Sequence, residues 1–134
     1  MMMTATNNAR KLLVIDDDDI FNFLVEEAYR EADLDCELIF ITRAEEALHY
    51  LKNHIEDFPD MIFLDINMPV MNGFEFLEKM KEEGLDKKKP EIYMLSSSIF
   101  DGDIRKAKSY RNVKDFISKP LTQERIKQLH QAEV

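Results

Sequence analysis

Residues 61–77 read MIFLDINMPVMNGFEFL. Met61–Leu64 is an unbroken apolar run of strand length, the pattern of a strand buried on both faces. An acid, Asp65, closes it. Pro69 and Gly73 shape the turn that follows. Asn72 and Glu75 stand three apart, as in a capping box, and Phe76, Leu77 and Met80 begin a helical stripe. The stretch therefore reads as strand, chemically loaded loop and helix.

The same order recurs on both sides. Further apolar runs are Lys11–Ile15, Cys36–Ile41, Ile92–Leu95 and Val113–Ile117. Helical spacing links Phe21, Leu24, Val25 and Ala28, and then Ala44, Ala47, Leu48 and Leu51, with Ile55 one turn on. Shorter stripes pair Ile104 with Ala107 and Ile126 with Leu129. Thr42-Arg43-Ala44-Glu45 predicts a second capping box, and Asp103 and Thr122 are expected caps of the last two helices. Glu82–Lys89 is expected to be a solvated connection. Five strand–helix alternations imply an α/β domain built on a parallel sheet with right-handed crossovers.

Composition narrows the function. The chain has 134 residues, enough for one domain. Residues 1–9 are expected to form a flexible arm and residues 10–134 the domain. Lys and Arg number 18 against 27 Asp and Glu, a net charge of −9. An acidic surface argues against nucleic-acid or anionic-membrane partners. The single cysteine, Cys36, excludes an internal disulfide and a cysteine-built zinc site, and fits a cytoplasmic protein. No apolar run approaches the ~20 residues of a membrane span. Three glycines are too few for a glycine-rich phosphate cradle. His49, His54 and His130 have no ligand-spaced partners and read as ordinary surface or satisfied side chains.

In an open parallel sheet, ligands bind beyond the carboxyl ends of the strands. The first run ends in Asp16-Asp17-Asp18-Asp19, the third in Asp65, the fourth in Ser96-Ser97-Ser98 and the fifth in Ser118-Lys119-Pro120. Asp18 and Asp19 suit the start of a helix. Asp16, Asp17 and Asp65 would share one edge. Two such charges 4 Å apart repel by about 4 kcal/mol at an effective dielectric near 20. Lys119 and a hard divalent cation would relieve that repulsion. Mg²⁺ fits because it takes one or two carboxylates, keeps waters and accepts a phosphate oxygen. Metal, lysine and hydroxyl around one carboxylate suit a phosphoryl group carried as an aspartyl phosphate.

The segments LLVIDDDD, MIFLDINMPVMNGFEFL, IYMLSSS and DFISKPL together resemble a two-component response-regulator receiver domain across roughly residues 10–133. The resemblance implies a flavodoxin-like doubly wound (βα)5 fold with strand order 2-1-3-4-5. It makes Asp65 the phosphoacceptor, and Asp16 and Asp17 the acidic pair for Mg²⁺, with Mn²⁺ as a substitute. Asn67 would add its backbone carbonyl. Ser96 would be the switch hydroxyl, Lys119 the partner of Asp65 and of the phosphate, and Phe116 the aromatic switch residue. A cis peptide would lie at Lys119–Pro120. The donor would be a sensor histidine kinase or a histidine phosphotransfer protein, and a downstream protein would read the last two helices. The chain would be a signalling protein of the single-domain type with no DNA-binding element, and not an enzyme beyond its own phosphorylation and dephosphorylation. Serine replaces the commoner threonine at 96, and Phe116 replaces the frequent tyrosine, so its coupling would be steric. Asn67 and Ser98 stand where the family sets its hydrolysis rate. The alternative is a haloacid-dehalogenase-type phosphatase using Asp16 as nucleophile, with Asp18 two residues later. It leaves Asp65 without a role and lacks acids after a late strand.

Overall fold

The computed structural model describes residues 10–98 and 100–131. The expected arm, 1–9, and the last three residues of the expected domain lie outside the described residues. In chain order the elements are β1 (Arg10–Ile15), α1 (Asp19–Ala32), β2 (Cys36–Ile41), α2 (Ala44–Lys52), β3 (Met61–Asp65), α3 (Gly73–Glu82), β4 (Glu91–Ser96), α4 (Asp101–Lys108), β5 (Val113–Ser118) and α5 (Gln123–Gln131). The five strands form one parallel sheet in the order β2-β1-β3-β4-β5. This is the flavodoxin-like arrangement expected from the sequence.

The near-continuous apolar strands are explained by two covered faces. Leu13, Ile15, Ile62, Leu64, Ile92, Met94 and Phe116 point to one side and bury with residues of α2, α3 and α4. Leu12, Val14, Met61, Phe63, Tyr93, Leu95 and Ile117 point to the other and bury with α1 and α5. Alternate residues of each strand thus serve opposite cores, so a register slip of one residue would exchange them.

Register also places the chemistry. Ile15 pairs with Leu64, so Asp16 and Asp65 leave adjacent strands side by side. Asp65 pairs with Leu95 and Ser96 with Ser118, which puts Ser96 and Lys119 at the same edge. Lys119 N–H donates to the Ser96 carbonyl at 2.9 Å, and the Lys119–Pro120 peptide is cis.

Helix starts follow the sequence unevenly. Asp18 caps α1, accepting from the N–H groups of Ile20 and Phe21. Asn72 and Glu75 form the expected capping box of α3, and Thr122 Oγ1 accepts from Arg125 N–H at the start of α5. The box at Thr42 does not form. Arg43 remains extended and occupies the cap position of α2 without a side-chain bond, one residue beyond Thr42. Asp103 lies inside α4, whose cap position is Phe100. Leu24 belongs to the predicted stripe yet is 48% exposed, because Tyr29 joins Phe21, Val25 and Ala28 on the buried face instead. The connection after α3 is not wholly solvated: Leu85–Lys88 makes a 3-10 turn that buries Leu85.

Candidate functional site

Asp16 and Asp65 are buried and Asp17 is exposed, and the three offer carboxylate oxygens within 4.8 Å of one another. Lys119 Nζ lies 2.7 Å from Asp16 Oδ2 and 3.6 Å from Asp65 Oδ1. Asp16 Oδ1 accepts from Asp18 N–H at 2.9 Å. Asp65 Oδ1 accepts a long bond from Asn67 N–H at 3.4 Å. Asp65 is therefore held less closely than Asp16.

Electrostatics follow from the burial. The Asp65 carboxyl is pushed up to about 6, first by desolvation and then by the charge of Asp16, with Lys119 pulling the other way. Burial also raises Asp16, against the opposing effects of Lys119 and the Asp18 N–H. Burial works to lower Lys119, but its contacts with Asp16 and Asp65 outweigh it, so its ammonium is held above its ordinary value. Both buried acids are thus short of positive charge. A divalent cation held by oxygens of Asp16, Asp17 and Asp65 would supply it, and a set of three hard anionic ligands fits Mg²⁺.

The remaining residues sit around this centre. Ser96 is buried, and its hydroxyl is engaged by Ser98 rather than hydrogen-bonded to Asp65. It donates to the Ser98 carbonyl at 2.5 Å and accepts from Ser98 N–H at 3.1 Å. Phe116 is buried in the α2–α4 face of the core, two residues before the Ser118 that pairs with Ser96. Asn67 is exposed next to the site. Gly73 begins α3 so close to β3 that a Cβ there would lie 2.7 Å from the Asp65 carbonyl oxygen.

Two contacts were not legible as functional in the sequence. Asn22 Nδ2 donates to the Asp16 carbonyl at 3.0 Å from within α1. The Lys119 ammonium lies 4.6 Å from the centroid of the Phe21 ring. Each residue reads locally as helix composition, and only the fold brings it to the site. The histidines stay apart, as expected: Tyr29 meets His130, Asn53 meets His49, and His54 Nδ1 meets the Tyr50 carbonyl.

A family model described as the response regulator receiver domain matches residues 12–131. The chain belongs to that family. Among solved structures, a two component response regulator from Cytophaga hutchinsonii superposes with a TM-score of 0.84 at 32% identity, covering 93% of this chain and 97% of the other. The chemotaxis protein CheY of Listeria monocytogenes is 29% identical over 116 residues, 87% of this chain and 91% of CheY. The hybrid signal transduction histidine kinase L of Dictyostelium discoideum is 30% identical over 121 residues, 89% of this chain but 7% of that kinase. Receiver domains are signalling proteins of two-component systems rather than ordinary enzymes. They interact with histidine kinases or phosphotransfer proteins and bind Mg²⁺ at an acidic pocket. The phosphatase alternative gains nothing from the geometry, since Asp16 is fully buried and already held by Lys119 and Asp18. Among the described residues, no helix is long and apolar enough to cross a membrane.

Proposed function

We propose that this receiver domain takes a phosphoryl group from a partner phosphohistidine onto Asp65. An Asp65 carboxylate oxygen attacks phosphorus, the phosphorus–nitrogen bond breaks, and its electron pair leaves with the imidazole. The observation that carries the reading is Lys119 reaching both Asp16 and Asp65 at the edge where three carboxylates converge. Asp16, Asp17 and Asp65, with the Asn67 backbone carbonyl, would hold Mg²⁺, and Mn²⁺ could stand in for it. The bound cation would neutralise charge on the transferring oxygens. Lys119 does the same from the other side.

Output follows from two side chains. Ser96 leaves its bonds to Ser98 and donates to a phosphoryl oxygen. Phe116 then repacks sterically, because it has no hydroxyl to follow with a hydrogen bond. The surface of α4 and α5 changes, and a downstream protein reads it. Entry of the donor is supported by exposed apolar side chains at the rim, Ile20 on the first turn of α1, Val70 and Phe100. A cleft of about 370 Å³ beside Asp17, lined also by Thr42, Arg43 and Pro69, leaves that rim open. We place the domain at residues 10–134 and in the cytoplasm, with neither nucleic acid nor membrane as partner.

Acetyl phosphate with Mg²⁺ is the direct test. It should give one acid-stable, base-labile phosphoryl adduct on the wild type and none on Asp65→Asn. Equal labelling of both proteins would remove Asp65 from the role.

A further inference from the structure

We propose that Phe21 is a positioning residue for phosphoryl transfer, its ring face holding the Lys119 ammonium at the Asp16–Asp65 edge. The inference rests on the reading of Asp65 as phosphoacceptor and adds a residue to it. Lysine carries its charge on a flexible four-carbon stem, so something must fix Nζ. Asp16 Oδ2 takes one side at 2.7 Å. Asp65 Oδ1, at 3.6 Å, lies on a second side beyond ordinary hydrogen-bond reach. The Phe21 ring closes another, with its centroid 4.6 Å away, well within the range of a cation–π contact.

The ring is itself fixed. Phe21 is 5% exposed and belongs to the same buried cluster as Val14, Val25, Ile117 and Leu121. Its chemistry suits the task. A third carboxylate would cancel the charge that a phosphoryl group needs. A hydroxyl or amide oxygen would occupy an ammonium hydrogen. The π face attracts the cation without offering a lone pair, so those hydrogens remain free to turn to phosphoryl oxygens as they arrive. A leucine would fill the space but would not hold the charge.

Shape and charge can be separated by experiment. Phenylalanine analogues of increasing fluorination, introduced only at position 21, keep the ring's outline and progressively remove the negative potential of its face. The probe is acetyl phosphate at saturating Mg²⁺, with Asp65 adduct formation followed over time. The maximal rate should fall stepwise, by about three- to tenfold for the fully fluorinated ring, with half-saturating acetyl phosphate little changed. Phe21→Leu should fall likewise and Phe21→Tyr should stay within about twofold of the wild type, since tyrosine keeps a cation-binding face. Urea unfolding of each protein identifies any variant that is not folded, and the fluorinated series carries the comparison should Phe21→Leu fail to fold. A rate that ignores fluorination overturns the proposal. So does a Phe21→Tyr protein as slow as Phe21→Leu. If the wild type gives no Asp65 adduct at all, the phosphoacceptor reading has failed, a result distinct from adduct formation that is indifferent to the ring.

Discussion

Lys119 is bound more closely to Asp16 than to Asp65: 2.7 Å separates Nζ from Asp16 Oδ2 and 3.6 Å from Asp65 Oδ1. The lysine thus holds together an edge whose acids repel one another, while Asp65 stays the looser partner. Removing one side of a buried ion pair leaves the other uncompensated, at a cost of about 3–5 kcal/mol. Lys119→Gln should therefore lose stability of that order at pH 7 without metal. The loss should shrink near pH 4, because Asp16 and Asp65, both raised by burial, take up protons there. Urea unfolding at the two pH values is the check, and an equal loss at both would contradict the ion-pair account.

Asp65 makes a separate prediction about pH. Its folded-state carboxyl, at about 6, lies above its ordinary value of 3.8. The folded protein therefore binds the proton more tightly than the unfolded chain does. The resulting stability is fully present below the ordinary value and is lost as pH rises through 6, by roughly 3 kcal/mol for a shift of about two units. His130, lowered chiefly by burial, acts in the opposite sense and loses stability as pH falls below its ordinary 6.5. The informative quantity is therefore wild type minus Asp65→Asn. Measured without metal from pH 4 to pH 7.5, that difference should move against the wild type as pH rises. A flat difference would show that Asp65 titrates in the ordinary carboxylate range.

The strands were legible because both faces of the sheet are covered, which makes β3 and β4 read as unbroken apolar runs. Asp16, Asp65, Ser96 and Lys119 were legible because parallel strands expose their carboxyl ends together, so end residues far apart in sequence become neighbours. Asn22 and Phe21 were not. Their contacts with the site depend on how α1 rotates against β1 and β5, and helical periodicity places both simply near the buried side. The Thr42 capping box failed for a similar reason. One extended residue, Arg43, shifts the start of α2 beyond the reach of the threonine hydroxyl. The resting position of Ser96 was also hidden, since its bond to Ser98 is a local turn choice that competes with the site.

Metal binding should offset the repulsion that remains among Asp16, Asp17 and Asp65. At ten times its dissociation constant, Mg²⁺ should raise folding stability by about 1.4 kcal/mol. Asp17 is the exposed member of the set and does not touch Lys119. Asp17→Asn should abolish the gain and leave the metal-free protein as stable or slightly more so. Thermal unfolding with and without Mg²⁺ separates these terms. A metal-free Asp17→Asn protein that is clearly weaker than wild type would mean that Asp17 contributes structurally rather than by charge.

Gly73 allows α3 to begin against the backbone of Asp65. A Cβ at that position would meet the Asp65 carbonyl oxygen at 2.7 Å and the Ile66 Cα at 3.0 Å, both main-chain atoms. Gly73 N–H also donates to the Ile66 carbonyl at 2.9 Å, so the helix cannot retreat without losing that bond. Gly73→Ala should cost about 1–3 kcal/mol through overpacking. It should also slow acetyl phosphate labelling, because Asp65 moves with its backbone. Gly102→Ala, where a Cβ would meet nothing within 4 Å, is the control and should do neither. Matching losses in the two proteins would show that the close approach at Gly73 is not the cause, since alanine favours a helix over glycine.

Val70 stores strain at the mouth of the same loop. Its φ is 70°, and Met71 N–H donates to the Pro69 carbonyl at 2.7 Å across it. That is a γ-turn in the left-handed sense, rare and strained, and worse for a β-branched residue. The side chain is 84% exposed, so no packing compensates. Glycine adopts a positive φ without a Cβ penalty, so Val70→Gly should raise stability, by at most about 1 kcal/mol once its larger unfolded-state entropy is counted. The same side chain is an exposed apolar group lining the cleft beside Asp17, at the proposed entrance of the donor. Labelling by acetyl phosphate should then be unchanged, whereas transfer from a phosphohistidine protein should slow. If both donors slow together, Val70 acts on the geometry of Asp65, and the strain serves the chemistry rather than the docking.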